Sequence, residues 1–441
     1  MDFARGCAMA HERVAHDPLA PKARETLLRE KRPQRALPVH TGRQHRKLPI
    51  LGARPIDEQH KPIYAVWEVT LACDLACRHC GSRAGKARPD ELTTEECLDL
   101  VRQMTELGVK EVSLIGGEAY LRPDWLTLIE AIRDHGMITN MTTGGRGVTA
   151  EMARAAKAAG LQAVSVSIDG DEEVHDRLRS AKGSYASAQK TMQHMVDAGI
   201  RLSTNTQINR LSMPTLHHVL DMMIEKGSKA WQLQLTVAMG RAVDEPEVLL
   251  QPYDLVELFP LLGELKDRCT ENGIALWPGN NIGYFGPLER KLRGGAPRGE
   301  MASCTAGRYV LGIEADGAIK GCPSLPTKDW VGGTVREHTL KEIWEGTEPL
   351  RFTRDRTVDD LWGFCRDCYY ADVCKAGCTW TSSVLFGKPG NNPYCHHRSL
   401  ELKKQGKRER VVKAEAAPNL PFDAGKFELV LEDWPISGDP Q

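Results

Sequence analysis

Val69-Thr-Leu-Ala-Cys73-Asp-Leu-Ala-Cys77-Arg-His-Cys80 is the stretch that decides how this chain reads. Three cysteines stand in C-x3-C-x2-C spacing directly after an apolar, β-branched run at 63–70. Three thiolates on one tight loop can hold three irons of a cubane and leave the fourth iron an open position. Zinc is the competing reading, but a closed zinc site wants four ligands and normally pairs of C-x2-C. The spacing favours the cluster.

Outward from that loop the text alternates. Apolar runs at 63–70, 111–115, 137–142, 163–168, 201–208 and 230–237 read as strands. Between them lie amphipathic stretches at 93–107, 124–134, 150–159, 185–198 and 213–225. Thr93 with Glu96 makes a capping box, and Gly108, Gly160 and Gly199 suit helix ends. Six such units imply an α/β fold, a partial (β/α)6 TIM-like barrel with its active residues at the C-terminal strand ends. Four segments are expected: a basic, partly disordered extension over 1–60, a core barrel over 61–290, a small Cys-rich domain over 300–400 and a tail over 401–441. Within the tail, 426–431 reads as one strand.

The strand ends carry the next motifs. Gly116-Gly117-Glu118 follows the second run; its glycines let backbone approach a ligand, and Glu118 can accept from an amine. Ser167-Ile168-Asp169-Gly170 follows the fourth, then His175-Asp176-x-x-Arg179. Alone, each is weak: an Asp-Gly after a strand is usually a turn.

Together these residues resemble the radical S-adenosylmethionine (SAM) superfamily over roughly 61–240, with His79 the aromatic before the last cysteine. The resemblance implies a [4Fe–4S] cluster on Cys73, Cys77 and Cys80, with SAM chelating the fourth iron. Reductive cleavage of SAM to a 5′-deoxyadenosyl radical, and hydrogen abstraction by that radical, would follow. It further implies that Glu118 and the Gly116-Gly117 backbone hold the SAM amino group, and that Arg179 meets its carboxylate. Ser167 and Asp169 would face the ribose. Thr142-Thr143-Gly144 stands where relatives often show Thr-Asn-Gly, and Ala119 where they usually have proline.

A second cysteine set lies further on: Cys304, Gly317-x4-Cys322, Cys365-x2-Cys368-x5-Cys374-x3-Cys378, and Cys395. Paired zinc ribbons would show similar counts. Beside the first loop, the pattern resembles the SPASM extension of peptide and cofactor maturases, which holds two auxiliary iron–sulfur clusters, expected to be [4Fe–4S]. Carried over, Cys365, Cys368, Cys374 and Cys395 hold the outer cluster, and Cys304, Cys322 and Cys378 the inner one. Some members carry a further cysteine six or seven residues after the first; Arg308 to Leu311 stand there instead, which leaves the inner cluster's fourth ligand open. Cys269 is one remote alternative. Cys97 reads as packed, Cys7 as incidental, and His396-His397 as surface groups or neighbours of the ligands.

Composition narrows the partners. The 441 residues include 13 cysteines, with 41% hydrophobic and 27% charged residues and a formal net charge of −1. That balance argues for neither nucleic acid nor a membrane. No apolar run reaches the ~18 residues of a spanning helix, and without a signal-peptide core the expected compartment is the cytoplasm. Three functions stay open: oxidative maturation of a peptide or small protein, the same chemistry on a small molecule such as a tetrapyrrole or an amino-acid-derived metabolite, and a non-catalytic metal scaffold. The first implies a one-electron donor such as flavodoxin or ferredoxin, and a separate leader-peptide-binding protein. No catalytic base is named; Glu68, Asn205, Gln207, Gln232 and Gln234 are candidates only if they point inward.

Overall fold

In the computed structural model, residues 48–294 and 304–435 are described. The alternating runs become parallel strands: β1 Tyr64–Thr70, β2 Glu111–Gly116, β3 Ile138–Thr143, β4 Ala163–Ser167, β5 Arg201–Ile208 and β6 Ala230–Leu235. Each pairs with its predecessor in parallel register, such as Tyr64 with Glu111 and Asn205 with Gln232. The helix Thr94–Leu107 starts on Thr93, whose hydroxyl accepts from Glu96 N while Glu96 accepts from Thr93 N. It ends on Gly108 at φ +102°, a conformation that favours glycine.

Burial alternates along the strands. Thr204, Thr206, Trp231 and Leu233 are buried under the helices, while on the opposite, inner face Asn205, Gln207 and Gln234 stay partly exposed and Gln232 exposed. These four share the inner face, because a one-residue slip would have put Trp231 in the lumen. Each fully buried large apolar side chain on the outer face contributes about 1.5–3 kcal/mol.

Additions to the expected six units come from chemistry that periodicity does not show. A seventh parallel strand, β7 Ala275–Pro278, adds to β6. On the other side β8 Val310–Ile313, from the Cys-rich region, pairs in parallel with β1. It continues through antiparallel β9 Ala318–Lys320 and β10 Val331–Thr334. The sheet order is therefore β10-β9-β8-β1-β2-β3-β4-β5-β6-β7, and the Cys-rich region shares the barrel's sheet.

The ends of the described chain are also built in. Residues 1–47 of the expected basic extension, with Cys7, lie outside the described residues. From residue 48 the chain packs rather than strays. Asp57 is fully buried, paired with Arg351 at 2.9 Å and Arg354 at 3.1 Å. The tail forms a hairpin of β11 Lys407–Glu415 and β12 Lys426–Asp433, two strands where one was expected. Gln251 accepts from Val411 N at 2.7 Å, and Lys413 donates to Val243 O, tying the hairpin to the segments after β6.

Candidate functional site

The cysteine loop leaves the C-terminal end of β1 and closes on itself: Gly85 N donates to Leu71 O, and Cys73 N to Gly85 O. Cys73, Cys77 and Cys80 lie near enough that charge on Cys80 raises the pKa of both Cys73 and Cys77. Burial, the largest effect, pushes the Cys77 thiol up to about 11. Lone thiolates are therefore disfavoured here, whereas a metal centre would replace their protons and take up the charge. The donor set fits a cubane with an open iron.

Four arginines hold the loop. Arg241 donates to Ala84 O and to Cys77 O, and its backbone N–H to Cys80 O at 3.0 Å. Arg78 pairs with Glu245. Arg83 grips Asp244 through two bonds of 2.9 and 3.0 Å and Asp423 through one of 2.7 Å. Arg88 pairs with Glu68 at 2.7 Å and with Glu314 at 3.3 Å. Glu68, on the inner face but buried against Arg88, is thus part of an ionic cluster and not a free base. Sequence reasoning passed over Arg78, Arg83 and Arg88.

Glu118 ends the same pocket. It is buried, lies beside Cys73 and Asp74, and accepts from Thr143 Oγ1 and from Gly144 N at 2.6 Å. Burial pushes its carboxyl up to about 7, against the two hydrogen bonds. Thr143 and Gly144, rather than Thr142, reach this carboxylate; the half-buried Thr142 points the other way on β3. The bare Gly117 serves a close approach to protein: a Cβ there would stand 2.0 Å from Ala72 O and 2.7 Å from Cys73 Cβ.

Asp169 is fully buried, with protein groups at both of its oxygens. Its Oδ2 pairs with Arg179 Nη2 at 2.6 Å and His79 Nε2 at 3.2 Å, while Oδ1 accepts from Gln207 N. Burial opposes ionisation, yet Arg179 and His79 hold the carboxyl well below the usual range. Arg179 in turn directs Nη1 toward Cys77 Sγ at 3.7 Å, with Nε left without a hydrogen-bond partner among the described residues. Ser167 closes β4 opposite Asn205. His175, buried and pushed down to about 3 by burial, accepts from Asp169 N.

The second cysteine set lies in two groups. Cys365, Cys368, Cys374 and Cys395 line one cavity with Phe285, Phe364, Tyr370 and His397. Cys304, Cys322 and Cys378 form another group, in which burial first and the neighbouring thiols next push Cys304 up to about 12 and Cys322 up to about 11. Tyr284 lies between the groups, under the influence of Cys304, Cys378 and Cys374. Cys269 is packed in the apolar core, as is Cys97. His396 departs from the surface reading: it is buried and stacked on Phe259 at 4.2 Å.

Comparisons agree with this geometry. Residues 67–223 match the radical SAM superfamily, and 304–369 match SPASM, an iron–sulfur cluster-binding domain. The chain is 29% identical over 359 residues to AdoMet-dependent heme synthase of Nitratidesulfovibrio vulgaris, covering 76% of this chain and 92% of that protein. It is 28% identical over 341 residues to mycofactocin maturase MftC of Mycolicibacterium smegmatis, covering 76% and 82%. Its fold matches Streptococcus suis SuiB bound to SAM with a TM-score of 0.61 at 17% identity, covering 76% of each chain. Among the described residues, no helix is long and apolar enough to cross a membrane. A cysteine loop at the first strand end, a glutamate pocket beside it and a second cysteine-bearing domain on the same sheet make this chain a radical SAM enzyme with a SPASM domain.

Proposed function

We propose that this enzyme oxidatively modifies a peptide or small protein. The observation that carries this reading is the pair of cysteine groups, one of four and one of three, in the region after the barrel. Two auxiliary clusters suit a reaction that removes a second electron from its substrate. When bound, the Cys73–Cys80 cluster and SAM supply a 5′-deoxyadenosyl radical able to abstract hydrogen from an unactivated C–H bond.

The chain's own residues do the positioning. Cys73, Cys77 and Cys80 would hold the cluster, with Glu118 and the Gly116-Gly117 backbone receiving the SAM ammonium. Arg179, held by Asp169, would receive the carboxylate, while Ser167 and Thr142 would face the nucleoside. Asn205, Gln207, Gln232 and Gln234 line the inner face, and the buried Asn205 Oδ1 has no hydrogen-bond partner among the described residues. Such a row suits amide-bearing substrate groups. Cys365, Cys368, Cys374 and Cys395 would hold the outer cluster, with a flavodoxin or ferredoxin as electron partner and a separate protein presenting the leader peptide.

The likeness to a maturase supports the peptide reading. The likeness to a heme synthase, over 92% of that protein, supports a second reading in which the substrate is a tetrapyrrole. Reduced enzyme and SAM, incubated with short peptides encoded beside its gene or with tetrapyrroles, separates them. Substrate-dependent 5′-deoxyadenosine with a mass change in a peptide is expected. The same result with only a tetrapyrrole would replace the first reading by the second.

A further inference from the structure

The inner cysteine group is one thiolate short of a four-cysteine site. The stretch where some SPASM proteins carry another cysteine is occupied here by the start of β8. Leu311 in it is fully buried and paired with Ala65 of β1, so no sulfur ligand comes from that side. A cation stands beside the group instead. Thr353 donates to Ala306 O at 2.5 Å and Arg354 Nε to Gly307 O at 2.7 Å, which keeps the 353–356 segment alongside the Cys304 loop.

Arg356 ends that segment and is 7% exposed. Among the described residues its guanidinium has no hydrogen bond and no ion pair within 4 Å. Asp360 acts on it from a distance but is exposed and accepts from Thr357 N at 2.8 Å. Arg308 adds only like charge. A buried guanidinium is costly without negative charge near it, and among the described residues the groups that can carry that charge beside Arg356 are Cys304, Asp360 and Cys378. Cys304 and Cys378 lie within reach of its charge.

We infer that Arg356 is the charge partner of an iron–sulfur cluster held by Cys304, Cys322 and Cys378, and that it raises the cluster's reduction potential. The inference rests on reading those cysteines as a cluster site. Reduction adds one negative charge to a cluster, and a fixed buried cation beside it favours the reduced state; net charge is among the main determinants of cluster potential. The inner cluster would then be the better acceptor for an electron given up by substrate. Arg356 acts through the cluster and touches no reacting atom, so it is a positioning residue.

The full chain, reconstituted anaerobically, is compared as wild type, Arg356→Gln, Arg356→Lys and Cys304→Ala by iron content and by redox titration followed by EPR. The signal absent from Cys304→Ala identifies the inner cluster. In Arg356→Gln that signal is expected to titrate at a more negative potential, by about tenfold in its redox equilibrium or more, roughly 59 mV for one electron. Arg356→Lys is expected to stay near wild type, and the other signals to stay unchanged. Loss of the inner iron in Arg356→Gln with retention in Arg356→Lys also supports the charge role. Loss in both variants, or an unmoved potential in Arg356→Gln, overturns it. If Cys304→Ala loses no iron, the cluster reading itself fails, a result distinct from either.

Discussion

Arg83 Nε donates to Asp423 Oδ1 at 2.7 Å, a buried pair between residues 340 positions apart. It ties the radical-site loop to the connection between β11 and β12. Asp423 Oδ2 also accepts from Asn419 N at 2.6 Å and Leu420 N at 3.0 Å, so one carboxylate shapes that connection and anchors the loop. Removing Arg83 leaves Asp244 and Asp423 without it, whereas removing Asp423 leaves Arg83 its two bonds to Asp244. Asp423→Ala is expected to cost about 1–3 kcal/mol and Arg83→Met about 3–5 kcal/mol. Anaerobic thermal unfolding should rank them in that order; an Arg83→Met protein melting like wild type would remove the pair from any anchoring role.

The same loop is braced by the turn after β6. Gly240 has φ +59°, and a Cβ there would stand 2.3 Å from Cys80 O and 2.4 Å from Gly81 O. Both the conformation and the space exclude a side chain. Gly183, at φ +81°, has nothing within 4 Å and separates the two effects. Gly183→Ala is expected to cost about 1–2 kcal/mol, the conformational penalty alone. Gly240→Ala must also displace the Cys80 backbone, so iron at the first site should fall in this variant and not in the other. Equal iron in the two proteins would show that the turn does not set the loop.

Iron counting tests the three cysteine groups separately. Cys77→Ala, Cys304→Ala and Cys374→Ala are each expected to lose about four irons, one cubane apiece. Cys97→Ala and Cys269→Ala should lose none, because both side chains pack in the apolar core. A loss in Cys269→Ala would make that residue a ligand after all. A Cys374→Ala protein that kept full iron would break up the four-cysteine group.

Why some of this was legible in the chain and some was not follows from the range of the forces involved. The strands and helices of the barrel rest on local periodicity and caps, so Thr93, Glu96 and Gly108 announce their helix from a few residues of text. The cysteine groups were legible because ligand chemistry demands fixed short spacings around Cys73 and Cys365. Contacts over hundreds of residues leave no such trace. Nothing near Asp423 points to Arg83, and nothing near Leu311 foretells its pairing with Ala65. In the sequence, Asp169 takes a ligand-facing role only through the family resemblance, since an Asp-Gly after a strand is usually a turn. Only the three-dimensional approach of His79 and Arg179 shows what occupies its oxygens.

A final prediction concerns the pH dependence of stability. The half-buried Asp254 accepts from Gln251 N at 2.8 Å at the head of the helix Leu255–Glu271. Burial, the largest effect, pushes its carboxyl up to about 6 from the usual 3.8, against that hydrogen bond and Arg210. The folded state therefore holds the proton between those two values while the unfolded state has released it. Stability contributed by this group is full at low pH and declines as pH rises toward 6, above which the charged form carries a constant penalty. Asparagine keeps an acceptor for Gln251 N and never ionises. Asp254→Asn should then be the more stable protein at pH 7.5, by about 1 kcal/mol once partial exposure is allowed for. The advantage should shrink as pH is lowered toward 5. Melting temperatures of the holoenzyme across that range measure it, and an advantage that grew on acidification would mean the carboxylate is stabilised, not penalised, at this position.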